Sequence, residues 1–214
     1  MSFRTALFDL DGTLIDHFRA IHACHRYTMQ KLGLPAPTMA QVRAAVGGGV
    51  ELAVRRLVGP ERTAEALALY LPHWHAIMLD DVELLPGAIA LLERLRAAAL
   101  KAAVLTNKRA DSSRRVCEHL GLSPLLAGVF GAGDTPWLKP EPGFTAYALG
   151  RLGASVGTTC LVGDSIFDLQ TARKAGMPFF GVTTGTHTAE ELRAAGAEHV
   201  FAGLGEVAPH ILGN

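Results

Sequence analysis

Apolar strand segments alternate with helical segments over most of this 214-residue chain, and this alternation limits the possible folds more than any other feature. The predicted strands lie at residues 5–10, 102–105, 128–130, 159–162, 179–182 and 199–201. Helices are predicted at 111–120, 144–152, 168–175 and 188–195, and glycines follow them at 121, 153, 176 and 196. Apolar strands joined by helical crossovers predict a parallel sheet with helices on both faces.

Residues 16–80 show helical patterns and no strand-like run. Helices are predicted at 18–32, after the capping-box pair Thr38 and Gln41, at 50–58, and after Thr63, with a break near residue 71 caused by Pro72. We therefore predict an α/β core formed by residues 1–15 and 83–214, with an inserted helical domain at residues 16–82.

Composition and charge exclude several classes of protein. Twenty basic and twenty acidic residues balance, which argues against a global field for nucleic acid or an anionic membrane surface, and no apolar run approaches the length of a membrane span. Cys24, Cys117 and Cys160 fit neither a disulfide framework nor a zinc site. We expect a cytoplasmic protein without nucleic-acid or membrane partners, whose cysteines are small core residues.

Asp9 and Asp11 follow the first predicted strand, where Gly12 allows a sharp turn. Side chains two positions apart on a strand point the same way, so both carboxylates could meet one ligand. Two close carboxylates repel unless a cation lies between them or one holds a proton, and either condition suits catalysis. The alternative is that they only end the strand and cap the next helix.

Further polar residues follow other predicted strands. Thr106 and Asn107, with Lys108, offer a hydroxyl and backbone N–H groups for phosphate oxygens, or they are simply a β-branched residue before a polar loop. Lys139 precedes Pro140, which stiffens the loop bearing its ammonium, although most isolated loop lysines are only solvated. Ligands of parallel sheets bind beyond these strand ends.

Asp164 and Asp168 form a second acidic pair after the strand at 159–162. Helix capping explains Asp168, but it does not explain why the acidic clusters lie at strand ends. Hard oxygen ligands without a Cys/His cluster favour Mg²⁺ over zinc.

Four groups of residues resemble, in order, the motifs of the haloacid dehalogenase superfamily of phosphohydrolases. They are Asp9-Leu10-Asp11-Gly12-Thr13, Thr106, Lys139, and Gly163-Asp164 with Asp168. The resemblance covers nearly the whole chain, and the helical insert stands where the family places its cap. It implies a Rossmann-like parallel-sheet core with a small all-helical cap of the C1 type.

The resemblance also implies the role of each acidic residue. Asp9 is expected to be the nucleophile that forms an aspartyl-phosphate. Mg²⁺ is expected on the Asp9 carboxylate, the Asp11 backbone carbonyl and the Asp164 carboxylate, with Asp168 supporting it through water. Asp11 is expected to act as general acid and then general base, which needs a carboxyl group whose proton affinity is raised by its neighbours. Lys139 offsets repulsion between Asp9 and the phosphate.

Within the superfamily, Thr106-Asn107-Lys108 and the run 42–59 look most like phosphoglycolate phosphatases, so the expected substrate is 2-phosphoglycolate or another small phosphorylated metabolite. Specificity is expected from the cap, where Gly48 and Gly49 could offer backbone N–H groups and Arg55 or Arg56 a guanidinium. The alternative for the arginines is solvation. His22 and His25 are interpreted as surface or packing residues.

Other functions remain open from the sequence. A phosphoaccepting receiver module also combines aspartates, Mg²⁺, a hydroxyl residue and a lysine, but it places the phosphoacceptor on a later strand. A dehalogenase of this fold needs no acid at Asp11. A phosphomutase or a pyrophosphatase would use the same core, and the sequence is compatible with either a monomer or a homodimer.

Overall fold

The structure, a computed structural model, describes residues 3–213 and contains the predicted parallel sheet. Its strands are β1 Thr5–Phe8, β2 Ile15–Asp16, β3 Glu83–Leu84, β4 Lys101–Arg109, β5 Gly128–Ala132, β6 Thr159–Gly163, β7 Phe179–Val182 and β8 His199–Phe201. Six of them form one sheet in the order β5-β4-β1-β6-β7-β8, and every neighbouring pair in it is parallel. The predicted α/β fold class is confirmed.

Ten α-helices accompany these strands within residues 3–213. They are α1 Phe18–Lys31, α2 Met39–Ala45, α3 Val50–Val58, α4 Thr63–Ile77, α5 Ala88–Ala97, α6 Ala110–His119, α7 Pro142–Leu152, α8 Ile166–Ala175, α9 Ala189–Ala194 and α10 Leu204–Leu212. Helix α10 was not predicted, because Pro209 interrupts its apolar pattern in the sequence. In the part of the chain that the structure describes, no helix is both long enough and apolar enough to cross a bilayer.

Helix α4 continues through Pro72, so the predicted break near residue 71 is wrong. A proline inside a helix leaves the carbonyl four positions earlier without its donor. Both Pro72 and Ala68 lie on the exposed side of α4, where that carbonyl can bind water instead. The predicted helix start at Asp111 or Ser112 is also wrong, since α6 begins at Ala110 and no side chain caps it.

A two-stranded antiparallel ribbon joins the helical insert to the sheet, and the sequence did not predict it. Ile15 in β2 pairs with Leu84 in β3, and Asp16 pairs with Glu83. Strands of two residues are too short to show alternation in the sequence. The ribbon brings the two connections to the helical insert side by side.

Strand β1 lies in the middle of the sheet and contributes to hydrophobic cores on both faces. Ala6 and Phe8 pack in the core covered by α5, α6 and α10, whereas Leu7 packs in the core covered by α7, α8 and α9. This alternation follows from the two-residue period of a strand. Helices α1 to α4 enclose a third core, which includes Cys24, Tyr70 and Trp74. The cysteines at 24, 117 and 160 are all free and buried.

Candidate active site

The predicted polar residues meet at one edge of the sheet. Asp9 follows β1, Thr106 and Asn107 lie in the last part of β4, and Asp164 follows β6. These three strands are neighbours in the order β4-β1-β6 and run parallel, so their carboxyl ends lie side by side. The pairing of β4 with β5 becomes irregular after Leu105, which releases the following residues from the regular ladder.

Three buried carboxylates form the centre of this edge. Asp9, Asp164 and Asp168 each direct an oxygen into a cluster in which these atoms lie within 4.8 Å of one another. Burial raises the pKa of Asp9 to about 6, although the Lys139 ammonium opposes this rise. Burial, with the neighbouring Asp168 and Asp9 carboxylates, raises the pKa of Asp164 to about 7. The cluster is therefore short of positive charge.

Lys139 is the one ammonium in direct contact with this carboxylate cluster within residues 3–213. Its Nζ lies 2.9 Å from Asp9 Oδ1 and 2.6 Å from Asp168 Oδ1. The side chain of Asn107 holds the lysine loop: its Oδ1 accepts from the Lys139 N–H at 2.7 Å, and its Nδ2 donates to the Lys139 carbonyl at 3.0 Å. The side-chain amide of Asn107 therefore positions Lys139. The Asn107 backbone N–H is not used by this contact, and its predicted contact with phosphate stays a prediction. Thr106 lines the cavity beside it, and its hydroxyl accepts from the Lys108 N–H at 3.2 Å.

Asp11 lies in a different environment from the one predicted. Strand β1 ends at Phe8, so Asp9 and Asp11 are not successive outward residues of one strand. The Lys108 Nζ lies 2.9 Å from Asp11 Oδ2 and 3.1 Å from its Oδ1, and His17 Nδ1 lies 3.4 Å from Oδ1. Burial alone would raise the pKa of Asp11, but the Lys108 ammonium and the His17 ring outweigh it and hold this pKa far below its usual value. The expectation of a raised proton affinity is wrong for this arrangement.

Asp164 is oriented by Thr186, which was not predicted from the sequence, and by Thr13 of the first motif. Its Oδ2 accepts from the Thr186 N–H at 2.7 Å and from the Thr186 hydroxyl at 2.8 Å, and its Oδ1 accepts from Thr13 Oγ1 at 3.2 Å. A Cβ on Gly185 would collide with the Asp164 carboxylate, so only glycine fits there. Thr186 follows β7, and the strand-end rule that found Asp164 could have found it too.

Asp168 has a structural contact as well as a place in the cluster. Its Oδ2 accepts from the Ser165 N–H at 3.1 Å and from the Ser165 hydroxyl at 2.5 Å, which forms a capping box at the start of α8. Its other oxygen accepts from Lys139. The structure therefore confirms the capping explanation for Asp168, and the same residue also lies in the carboxylate cluster.

The helical insert closes over these groups. Asn107 Nδ2 donates to the Gly47 carbonyl at 3.0 Å, and Arg43 donates to the Gly185 carbonyl at 3.0 Å. Gly47 and Gly49 line the cavity between insert and sheet, whereas Gly48 is outside the lining. Of the two predicted glycines, Gly49 therefore lies at the cavity and Gly48 does not.

Arg55 and Arg56 do not line this cavity, contrary to the prediction that one of them reaches the substrate. Both are exposed, and Arg56 donates to the Ala45 carbonyl at 3.1 Å. Val50 faces the cavity, and residues five and six positions further along an α-helix are rotated from it by roughly 140° and 120°. Helix α3 therefore directs both guanidinium groups away from the site.

The cap side of the cavity is mostly apolar. Its apolar members are Ile21, Val46, Val50, Ala53, Leu71 and Trp74. The rings of His25 and Tyr70 complete this wall, so His25 is a cavity residue rather than only a packing residue. The Lys108 ammonium lies 4.5 Å from the centre of the Trp74 ring, which places Trp74 beside the Asp11–Lys108 pair.

Comparison with known proteins places this geometry in a family. A family described as haloacid dehalogenase-like hydrolase matches residues 6–182. A protein named "Probable phosphatase IndB" from Dickeya dadantii is 33% identical over 94% of this chain and 90% of its own length. A phosphoglycolate phosphatase from Yersinia pestis is 30% identical over 98% of this chain and 94% of its own length.

Solved structures agree with the fold. A crystal structure from Lactobacillus delbrueckii subsp. bulgaricus superposes with a TM-score of 0.94 at 23% identity and covers 100% of both chains. The family match and the relatives confirm the predicted enzyme class, a phosphoric monoester hydrolase. The chain belongs to the haloacid dehalogenase-like hydrolase family.

Proposed function

We propose that the protein is a Mg²⁺-dependent phosphomonoesterase that hydrolyses a small phosphorylated metabolite through an aspartyl-phosphate on Asp9. The observation that carries this proposal is the hydrogen bonding of the Asp9 carboxylate. Oδ1 accepts from the Leu10 N–H at 2.7 Å and lies 2.9 Å from Lys139 Nζ. Among the described residues, both donors contact Oδ1, so Oδ2 is left for attack on phosphorus.

The carboxylate cluster fits a divalent cation. Asp9, Asp164 and Asp168 offer only oxygen donors, and three carboxylates face one ammonium, Lys139. The Asp9 and Asp164 carboxylates with the Asp11 backbone carbonyl would hold Mg²⁺, and Asp168 would support it through water. When bound, the ion would offset negative charge on the phosphoryl oxygens.

The chain's own groups can carry both chemical steps. Asp9 Oδ2 bonds to phosphorus while the bond from phosphorus to the ester oxygen breaks, and Asp11 gives its proton to the departing alkoxide. Water then attacks phosphorus and gives a proton to Asp11, which releases inorganic phosphate and restores the Asp9 carboxylate. Lys139 stabilises negative charge on the transferring group in both steps.

Asp11 needs a proton for the first step, although its pair with Lys108 keeps it ionised in this structure. Lys108 also lines the cavity, so a phosphate dianion competes with Asp11 for its ammonium. When the Lys108 side chain moves to pair with a phosphoryl oxygen, its positive charge no longer lowers the pKa of Asp11. Substrate binding would thereby prepare the general acid.

Phosphate release with and without Mg²⁺ tests the proposal. We expect Mg²⁺-dependent release of inorganic phosphate from at least one ester in a metabolite panel that includes 2-phosphoglycolate, sugar phosphates and pyrophosphate. Removal of the ion with a chelator should lower kcat by at least about 10³-fold, and Mg²⁺ should restore it. Full activity in excess chelator contradicts the metal requirement. Interconversion of sugar phosphates without net phosphate release contradicts hydrolysis.

The stability that Asp9 and Asp164 give to the metal-free protein should fall as pH rises. The folded pKa values of Asp9 and Asp164, about 6 and about 7, lie above the unfolded value of 3.8, so the folded state binds protons more tightly. Their contribution is full below the unfolded pKa and is lost as pH rises through the folded pKa. In urea unfolding with chelator, the midpoint of the unmodified protein relative to that of Asp164→Asn should decrease from pH 5 to pH 8. The comparison cancels the opposite effect of buried His25, whose pKa is lowered to about 4.

Mg²⁺ should reverse this loss. Ionised carboxylates bind the cation, so its stabilising effect should be larger at pH 8 than at pH 5. An increase in this relative midpoint of the metal-free protein between pH 5 and pH 8, or equal stabilisation by Mg²⁺ at both pH values, argues against a cation site made of these carboxylates.

The relatives' names make 2-phosphoglycolate the first substrate to test. The resembled family often has serine at the position of His17, asparagine at that of Phe167 and a further proline near Phe144. These departures leave the phosphate and metal groups in place but do not favour this substrate. Phe167 contacts the positions of Gly47 and Gly48, so one of these differences lies against the cap loop at the cavity.

A further inference from the structure

The cap wall offers no cation to a substrate. Of the residues that line the cavity, those from the helical insert are apolar, glycine, or one of the rings His25 and Tyr70. Four of these side chains come from successive turns of two packed helices: Ile21 and His25 on α1, and Tyr70 and Trp74 on α4. Positions four apart lie on one helix face, so these side chains form a continuous surface opposite Asp9.

His25 brings unused hydrogen-bonding capacity to this surface. His25 is 2% exposed and lines the cavity, and within residues 3–213 its ring nitrogens make no hydrogen bond to the protein. Its ring lies against Tyr70, with centroids 4.7 Å apart. A polar side chain that lines a cavity without a protein partner can bind water in the empty cavity and a polar group of a ligand in the occupied one.

The His25 ring is neutral at physiological pH. Burial, with a smaller effect of His22, lowers the pKa of His25 to about 4. A neutral imidazole has one donor and one acceptor and offers no net charge to an anion. Its natural partner is therefore an uncharged group such as a hydroxyl or an amide.

The two cationic side chains that the sheet adds to the lining already have partners. Lys108 is paired with Asp11 at 2.9 Å and passes to the phosphoryl group when substrate binds, and Arg109 is 3.3 Å from Asp111. If the end of the substrate away from the phosphate carried a carboxylate, that carboxylate would lose its water and lie against an apolar wall with no free cation. Such burial of an unpaired charge is strongly unfavourable.

We propose that the substrate is a phosphomonoester whose leaving alcohol carries an uncharged aromatic or heterocyclic ring with a neutral hydrogen-bonding group, and that His25 binds this group. This inference rests on the proposed phosphomonoesterase function and specifies its substrate class. The ring packs against Trp74, Tyr70 and Ile21, while the phosphoryl group meets Asp9. A substrate whose other end is a carboxylate, such as 2-phosphoglycolate, fits this wall poorly.

A set of related esters tests the substrate class. Phosphate release is measured with Mg²⁺ for 2-phosphoglycolate, phenylethyl phosphate, and the ortho, meta and para hydroxyphenylethyl phosphates. We expect kcat/KM for phenylethyl phosphate to exceed that for 2-phosphoglycolate by at least about tenfold. One hydroxylated isomer should exceed phenylethyl phosphate by about tenfold, since it adds a hydrogen bond inside the cavity. A higher kcat/KM for 2-phosphoglycolate overturns the inference but leaves the phosphomonoesterase function intact.

Substitution of His25 tests whether its ring binds the polar group of the substrate. His25→Phe keeps a ring but removes both hydrogen-bonding atoms, so the ratio of kcat/KM between the best hydroxylated ester and phenylethyl phosphate should fall to near one. His25→Gln keeps a donor and an acceptor and should retain a ratio above one, and it serves if the phenylalanine variant does not fold. His73→Phe is the matched control, because His73 stacks on Tyr27 away from the cavity and should leave the ratio unchanged.

The outcomes separate the two levels of the proposal. An unchanged ratio in folded His25→Phe overturns the assignment of His25, and a ratio of one in the unmodified enzyme does the same. Absence of Mg²⁺-dependent phosphate release from these esters and from the metabolite panel contradicts the phosphomonoesterase function itself. Preference for an anion-bearing ester contradicts only the substrate class.

Discussion

Asp9→Asn is expected to lower kcat for phosphate release by at least about 10⁴-fold, since an amide cannot displace the ester oxygen from phosphorus. The buried side chain keeps its size, and its carbonyl oxygen can still accept from the Leu10 N–H and Lys139. The fold should therefore survive. Phosphate release at saturating substrate and near-ultraviolet circular dichroism measure the two effects separately.

The same variant tests where the phosphoryl group goes. Acid-quenched enzyme should show one added phosphoryl group on Asp9 by peptide mass spectrometry, and Asp9→Asn should show none. Asp81→Asn is the control, since this exposed carboxylate lies outside the cavity lining and its loss should leave kcat unchanged. Activity of Asp9→Asn above a tenth of the unmodified enzyme, or a phosphoryl group on Asp164, would remove Asp9 as nucleophile.

The sheet could be predicted from sequence because its signals are local. Strands β7 and β8 match their predicted ranges, since each is a short run flanked by turn residues. The ribbon of β2 and β3 could not be predicted, because a strand of two residues is too short to show the alternation of apolar and polar residues. Helix α4 shows the limit of proline as a breaker, since exposure of the Ala68 carbonyl decides whether the helix survives Pro72.

The site shows a similar division. Asp9, Asp164 and Lys139 lie close together because polar residues at the carboxyl ends of neighbouring parallel strands share one edge of the sheet. The alternation of strands and helices in a sequence can suggest this arrangement. The pairing of Asp11 with Lys108 depends on side-chain directions across two strand ends, which spacing does not encode. Arg55 and Arg56 were misplaced because composition identifies an arginine but not the face of α3 on which it lies.

The cap wall illustrates why substrate is harder to predict than chemistry. The catalytic edge of the sheet is built from motif residues, whereas the opposing wall takes one or two residues from each of several helices. His25 and Tyr70 are 45 positions apart in the sequence, yet their rings are in contact. Only the packing of α1 against α4 reveals that they form one surface.

Lys139→Met is expected to destabilise the metal-free protein by about 3–5 kcal/mol at pH 8, because it leaves buried carboxylates without their counter-charge. Lys139 is 3% exposed and contacts both Asp9 and Asp168, so solvent cannot replace its ammonium. The variant should also lose about 10³-fold in kcat, since Lys139 stabilises charge on the transferring phosphoryl group.

The destabilisation should shrink at pH 5. Asp9 already has a pKa of about 6 with Lys139 present, and removal of the ammonium raises this pKa further. A protonated carboxyl group needs no counter-charge, so the variant recovers stability as pH falls, as expected for a group whose folded pKa is raised. Urea unfolding with chelator at pH 5 and pH 8 measures the difference.

Lys174→Met is the matched control for this experiment. Lys174 is exposed on α8, and loss of its charge should change the free energy of unfolding by less than about 0.5 kcal/mol at either pH. A Lys139→Met variant as stable as the unmodified protein at pH 8, or more strongly destabilised at pH 5 than at pH 8, would show that the Asp9 and Asp168 carboxylates do not depend on this ammonium. The electrostatic basis of the proposed site would then be wrong, because a cluster that tolerates loss of Lys139 has no need of a further cation.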